Sequence, residues 1–293
     1  MDTDKYQTLM KVLEYNSFSK AAEALGYTQS AISHSIYALE KSLGFKILNR
    51  EGGNVSLTTS GKTILPYIKN VLSAQNALEQ ATYSLSQVTL GNLYIATIPS
   101  LAIKWFPVLF QEYSEYYSQI NITLSHGNYE QVESSILAGD VDCGFLPIAL
   151  SSPLHHQVIT TECLYAIFPP DHPLLKKDSL SLKDLKDEPF IMPGEGDKYQ
   201  VGSLIEKYRC PMNIRYTISD DDITVALVAQ GLGISILPEL SYKDYLNFNI
   251  VPRTLKENPV REISIAYRDE TSISPIGKDF INFAVNFFQD VES

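Results

Sequence analysis

Residues 17–33 read Ser17-Phe18-Ser19-Lys20-Ala21-Ala22-Glu23-Ala24-Leu25-Gly26-Tyr27-Thr28-Gln29-Ser30-Ala31-Ile32-Ser33. This stretch predicts two helices joined by a tight turn. Ser19 is a suitable N-cap for a short helix over 20–25, since its hydroxyl can accept from the first free N–H groups. Ala21, Ala22 and Ala24 keep that helix slim enough to lie close to a neighbour. Gly26-Tyr27 ends it, because glycine just past a helix takes the left-handed conformation without a Cβ penalty. Thr28 then caps a third helix running to about Leu43 and stopping at Gly44. Two helices separated by a turn of about three residues form the helix-turn-helix unit.

Upstream, Leu9, Val12 and Leu13 mark a first helix that Asn16-Ser17-Phe18 interrupts. The third helix carries two stripes. Ile32, Ile36, Leu39 and Leu43 recur at helical spacing and predict an inward face. Gln29, Ser33 and Tyr37, with Ser30 and His34 beside them, form a polar stripe near the N-terminal end. A helix entering the major groove needs short or planar hydrogen-bonding groups there, since Gln pairs bidentately with adenine and Ser serves several bases. The helix N-terminus also offers free N–H groups to a phosphate. The same stripe is also what an ordinary solvated helix face presents. Downstream, residues 45–50 and 55–57 flank Glu51-Gly52-Gly53-Asn54 as two short strands around a glycine turn. Such a hairpin is a wing, with Arg50 at its edge in reach of a phosphate. Three helices and a wing predict a winged helix-turn-helix.

At this point the chain resembles the LysR-type transcriptional regulators. The resemblance rests on 17–25, on Thr28-Gln29-Ser30-Ala31-Ile32-Ser33, on Leu39-Glu40-Lys41-Ser42-Leu43-Gly44 and on Leu57-Thr58-Thr59-Ser60-Gly61, and covers about residues 4–65. It implies that Thr28, Gln29, Ser30, Ser33, His34, Tyr37 and Arg50 face double-stranded DNA. His34 and Tyr37 stand where members commonly carry Arg or Lys, and Arg50 is followed by Glu51. Phosphate contact is therefore expected to be weaker than is usual for the family.

From Thr59 or Ser60 a helical pattern runs to about Gln87, with Pro66 in its first two turns. Ile64, Val71, Leu78 and Leu85 repeat every seven residues with Ile68 between them, while Gln75 and Thr82 weaken the intermediate positions. This partial heptad suits either a partner helix or the chain's own body. The resemblance implies the former, a linker helix that pairs subunits into a homodimer or homotetramer reading an interrupted inverted repeat.

Beyond Leu90-Gly91, apolar runs alternate with helical patterns. Strands are expected at 92–98, 120–125 and 141–146, with helices at 101–116 and 130–137. A second series follows: strands at 164–168, 190–192, 213–217 and 234–237, with helices at 199–208 and 223–230. A strand at 260–267 and a helix at 275–288 close the chain. Alternation of this kind predicts mainly parallel sheets covered by helices. Two such lobes crossed by two strands form a hinged clamp. Residues 91–96, 137–144, 180–185 and 231–238 also resemble LysR effector-domain motifs, which implies a fold similar to periplasmic solute-binding proteins with a small-molecule effector between Rossmann-like lobes. The expected organisation is a DNA-binding domain at 1–58, a linker helix at 59–88 and an effector domain at 89–293. Its first lobe takes 89–161 and 267–293, and its second 162–266.

Ligands of open α/β sheets collect beyond the carboxyl ends of strands, near helix N-termini. That rule selects Thr97, Ser100, Leu101, Asn128 and Pro147 in the first lobe, and Gln200, Ser203 and Asp221 in the second. Ser100 and Ser203 suit a carboxylate or phosphate beside free N–H groups, or serve simply as helix caps. Asp220-Asp221-Asp222 reads more readily as a helix start complementing the dipole than as a cation site.

The formal charge of −11 argues at first against nucleic acid. The acidity is uneven, however. Residues 1–88 hold eight Lys/Arg and seven Asp/Glu, against fifteen and twenty-seven in the remainder. The start is acidic without an apolar secretory core, and no run is long enough to span a membrane. Cys143, Cys163 and Cys210 lack any C-x-x-C spacing and suit a reducing cytoplasm. No metal-ligand spacing, G-x-S-x-G turn or dinucleotide loop is present, so no cofactor or catalysis is expected. Two rivals remain beside the regulator: a solute-binding or buffering module without a DNA role, and an α/β enzyme. The winged helix speaks against the first, and turnover of a ligand would favour the second.

Overall fold

The computed structural model describes residues 3–51, 54–85, 91–147, 152–194, 201–243 and 249–291. Its first helices are α1 (Thr3–Tyr15), α2 (Phe18–Leu25) and α3 (Gln29–Leu43). Ser17, not Ser19, caps α2: its backbone is extended and its hydroxyl accepts from the Lys20 N–H at 3.4 Å. Phe18 already opens the helix, so the cap falls one residue before it, within reach of the third helical N–H. At the other end Gly26 takes φ 70°, and the Tyr27 N–H donates to the Ala22 carbonyl at 2.9 Å, turning the chain into α3. The inward stripe of α3 packs as expected: Ile32, Ile36 and Leu39 are buried with Leu9, Val12, Ala21 and Ala22. Each buried Ile, Leu or Val among them contributes about 1.5–3 kcal/mol by leaving water.

The wing is β1 (Leu48–Glu51) paired antiparallel with β2 (Asn54–Leu57). It begins later than expected because Glu40 of α3 takes up the approach to it. Its Oε1 accepts from the N–H groups of Ile47 at 2.8 Å and Leu48 at 3.1 Å. Thr58 closes the wing, its hydroxyl donating to the Lys46 carbonyl and accepting from the Gly61 N–H, and so starts α4 (Thr59–Leu85). Along α4, Ile68 is buried in the N-terminal core, whereas Tyr67, Val71 and Leu78 are exposed. The side chains of Thr82 and Leu85 lie outside those described.

The next region begins with β3 (Gly91–Thr97). The helix expected over 101–116 is two helices, α5 (Pro99–Lys104) and α6 (Phe106–Tyr116), parted at Trp105. Pro107 is the cause, since proline has no N–H and fits only a first turn. Then come β4 (Ile120–His126), α7 (Tyr129–Ala138) and β5 (Cys143–Leu146). β3 lies between β4 and β5, parallel to both. Phe106, Tyr113 and Phe145 are fully buried in this lobe's core.

The strand expected at 164–168 is the last third of a much longer one, β6 (His155–Phe168). Ile159 packs in the first lobe's core and Leu164 in the second's, so the chain changes lobe within one strand. The second lobe is built from α8 (Leu182–Leu185), β7 (Pro189–Pro193), α9 (Val201–Tyr208), β8 (Asn213–Ile218), α10 (Asp221–Ala229), β9 (Ser235–Pro238), α11 (Glu239–Tyr242) and β10 (Val251–Arg253). It returns through β11 (Val260–Tyr267), antiparallel to both β6 and β5. Finally α12 (Pro275–Val291) buries Phe280, Ala284 and Phe288 in the first core. The two crossing strands carry one sheet through both lobes, in the order β10-β6-β11-β5-β3-β4 among the described residues, with β9 also on β6.

Candidate nucleic-acid interface and effector cleft

On α3 the polar stripe points away from the core. Gln29, Ser30, His34 and Tyr37 are exposed, and Ser33 is half-buried. Thr28 has an extended backbone and caps α3, its hydroxyl accepting from the Ala31 N–H at 3.3 Å and lying 3.0 Å from the Ser30 hydroxyl. The cap leaves the other free N–H groups of the first turn open to a phosphate. Arg50 sits in β1 opposite Val55, on the hairpin that follows the same helix. Glu40, which ties α3 to the wing, was not singled out by sequence reasoning. A glutamate late in a helix carries no spacing signal that it will accept two backbone N–H groups from a segment seven residues on.

The residues expected to line the effector cleft divide sharply. Thr97 is fully buried, and its hydroxyl donates to the Phe145 carbonyl at 3.1 Å, so it is committed between neighbouring strands. Leu101 is likewise fully buried, in the first lobe's core. Neither side chain is offered to a ligand; a one-turn helix such as α5 must bury its apolar residue to hold its place. Ser100 is half-buried on α5 and does not cap it, since the N-cap is Ile98 and makes no side-chain bond. Asn128 caps α7 in a reciprocal capping box with Gln131, both bonds at 2.9 Å. Pro147 is buried at the end of β5, and Ser203 is exposed as the third residue of α9. Gln200 lies outside the described residues. Asp220 caps α10 by accepting from the N–H groups of Asp222 and Ile223, as the helix-start reading expects.

What the fold brings together at the lobe crossing is a polar cluster of which only Asp221 was expected. Arg261 of β11 is almost wholly buried and stands directly opposite Glu162 of β6. Its Nε donates to Glu162 Oε2 at 2.7 Å, and its Nη1 donates to the Tyr129 hydroxyl at 3.1 Å. The other Glu162 oxygen accepts from the Leu240 N–H of α11. Asp221 lies beside the same arginine. Burial pushes its carboxyl above the ordinary range, while Ser241 and Arg261 act in the opposite direction. Tyr129 begins a first-lobe helix, whereas Asp221, Leu240 and Ser241 belong to second-lobe helices. The cluster therefore spans the crossing from one lobe to the other. Apart from Asp221, a polar residue at an inward strand position is its trace in the sequence.

A winged helix-turn-helix joined by one long helix to a two-lobed α/β clamp defines a regulator that couples DNA binding to a ligand. Residues 3–62 match the bacterial regulatory helix-turn-helix proteins of the lysR family, and residues 86–289 match the LysR substrate binding domain. The chain belongs to the LysR family, and it is a DNA-binding transcriptional regulator with an effector-binding domain. The uncharacterized HTH-type transcriptional regulator YvbU of Bacillus subtilis (strain 168) is 27% identical over 290 residues, covering 98% of this chain and 99% of the relative. Full-length OxyR from Pseudomonas aeruginosa has a similar fold, with TM-score 0.76 at 22% identity over 99% of this chain and 98% of that one. So does CbnR, solved with its target DNA, with TM-score 0.69 at 20% identity over 98% and 100%.

Among the described residues no helix is long and apolar enough to cross a membrane, and no three His, Cys, Asp or Glu residues gather as metal ligands.

Proposed function

We propose that the protein works as a cytoplasmic homo-oligomer on an interrupted inverted repeat, each head reading one half-site through α3. Gln29, Ser30, Ser33, His34 and Tyr37 then contact base edges, with Thr28 and Arg50 near the backbone. The exposed polar stripe at the N-terminal end of α3, beside uncapped N–H groups, is the observation that carries this reading. CbnR, similar in fold, has been solved with its target DNA. In this reading residues 1–58 are the head, 59–88 the subunit-pairing helix and 89–293 the sensor. Its two lobes bind an effector without turning it over. The effector shifts the populations of open and closed clamps, and with them the spacing of paired heads. Ser100, Ser203 and Asp221 are among the polar groups that meet it.

Selection of random duplexes on the purified full-length protein, near physiological salt, tests this directly. A two-fold symmetric motif is the expected result. Replacing Gln29 and Ser33 together by Ala should lower affinity for that motif by about thirtyfold or more, since each base contact is worth about 1–3 kcal/mol of discrimination. Non-specific binding should be unchanged. Undiminished specific affinity at fixed salt would remove α3 from the reading role.

A further inference from the structure

A cavity of about 300 Å³ lies where α1 and α4 meet the first lobe. One wall is apolar, formed by Met10 of α1, Leu72 of α4 and Ile136 of α7. The rest is polar and held by crossed pairs. Lys69 of α4 reaches Asp140 of the first lobe at 2.5 Å, and Arg268 of the first lobe reaches the side-chain oxygen of Asn70 of α4 at 2.5 Å. Because Lys69 and Asn70 are neighbours in sequence, the two cations meet in one lining. Gly139, which ends α7 at φ 71°, lies against Arg268: a Cβ there would stand 2.9 Å from the Arg268 Nη1.

The donors outnumber their partners. An ammonium has three N–H groups and a guanidinium five. Lys69 uses one on Asp140. Arg268 uses one on Asn70 and one on Ser272, both neutral, with Asp269 3.4 Å from Nε. Two acids line the cavity: Asp140 is paired with Lys69, and Asp142 is occupied by the Tyr94 N–H at 2.9 Å and the Ser274 hydroxyl at 2.7 Å. Burial raises the Asp142 carboxyl above the ordinary value, while the Tyr94 and Ser274 hydrogen bonds act in the opposite direction.

We propose that this cavity is a second small-molecule site, taking a small organic carboxylate whose anionic end lies between Lys69 and Arg268 and whose apolar part lies on Met10, Leu72 and Ile136. The volume is at the small end of ligand pockets, which suits a short-chain acid. Lys69 belongs to α4 and Arg268 to the first lobe, so an occupant holds the linker helix against the first lobe independently of anything in the cleft.

Hexanoate, with hexanamide as its neutral counterpart, is a suitable probe. The chain has four methionines, of which Met10 lines the cavity while Met192 and Met212 pack in the second lobe. In the full-length protein labelled at its methionine methyls, hexanoate should shift the Met10 resonance saturably and leave Met192 and Met212 in place. Hexanamide should not. Arg268→Gln should weaken the response at least about tenfold, the scale of a lost charge-assisted hydrogen bond. Lys69→Gln should do the same and serves if the first variant does not fold. Ser100→Ala should bind normally. An unmoved Met10, an equal response to hexanamide, a shift at Met192 or Met212 instead, or undiminished binding in both charge variants would overturn the proposal. None of these outcomes alters the DNA-selection result.

Discussion

Arg261 and Glu162 face each other across the two strands that join the lobes, and Arg261 Nε donates to Glu162 Oε2 at 2.7 Å with both side chains almost wholly out of water. Removing two charges from water is costly, and the attraction offsets that cost only while both partners are present. Glu162→Ala is therefore expected to destabilise the protein by about 3–5 kcal/mol, through the unpaired guanidinium left behind. The double variant Glu162→Leu/Arg261→Met should recover most of that loss. Denaturant unfolding of both variants checks it; a double variant no more stable than the single would show that the hydrogen bonds to Tyr129 and Leu240 matter more than the pair.

Glu40 ties the reading helix to the wing through two backbone N–H groups. Glu40→Ala leaves those donors unsatisfied at a half-buried position, a cost of about 1–3 kcal/mol. Amide exchange at Ile47 and Leu48 should accelerate, while exchange in the middle of α3 should change less. Equal acceleration throughout the head would mean that Glu40 supports the whole core and not the wing.

Asp221 titrates above its ordinary value of 3.8 because it is desolvated beside Asp220 and Asp222, with Arg261 and Ser241 only partly offsetting this. A raised carboxyl favours the folded state below the unfolded pKa, and that contribution is lost as pH rises through the folded pKa. Asp221→Asn does not titrate. Its melting temperature relative to the wild type should therefore climb as pH rises above about 4, then level off. A difference that stays flat across the series, or falls with pH, would contradict the burial of this carboxyl.

Along α4, Tyr67, Val71 and Leu78 are exposed. Val71 and Leu78 are seven residues apart, as a helix-pairing seam requires. Val71→Glu combined with Leu78→Glu should lower the sedimentation mass and weaken operator binding, because like charges meet across the seam. An unchanged mass would place the subunit contact elsewhere.

Asp184 and Asp269 are both held near 2, the first mainly by Lys177 and the second mainly by the Thr271 hydroxyl. Their contribution is present above an unfolded pKa near 3.8 and is lost as pH falls toward 2. In a melting series below pH 4, Asp184→Asn should thus lose stability less steeply than the wild type. A parallel slope would mean that Lys177 is too mobile to matter.

The head was legible in the sequence because local rules decide it. Ala21, Gly26, Thr28 and the spacing of Ile32, Ile36 and Leu39 each act within one or two helical turns, and every one points to the same turn and the same buried face. The alternation of strands and helices in the remainder is local too, and most elements fall where periodicity puts them. Local rules also explain the small errors: Ser19 for Ser17, and one helix where Pro107 makes two.

The polar geometry of the cleft and the junction belongs to the tertiary structure alone. Arg261 meets Glu162 across 99 residues of chain and Tyr129 across 132, and Arg268 meets Asn70 across 198. No periodicity reports such separations. Thr97 and Leu101 were chosen by their position at the end of a strand, but packing turned both inward. Sequence patterns say which side chains must leave water; only the assembled lobes decide which polar groups leave with them, because a buried charge is tolerated solely where folding delivers its partner.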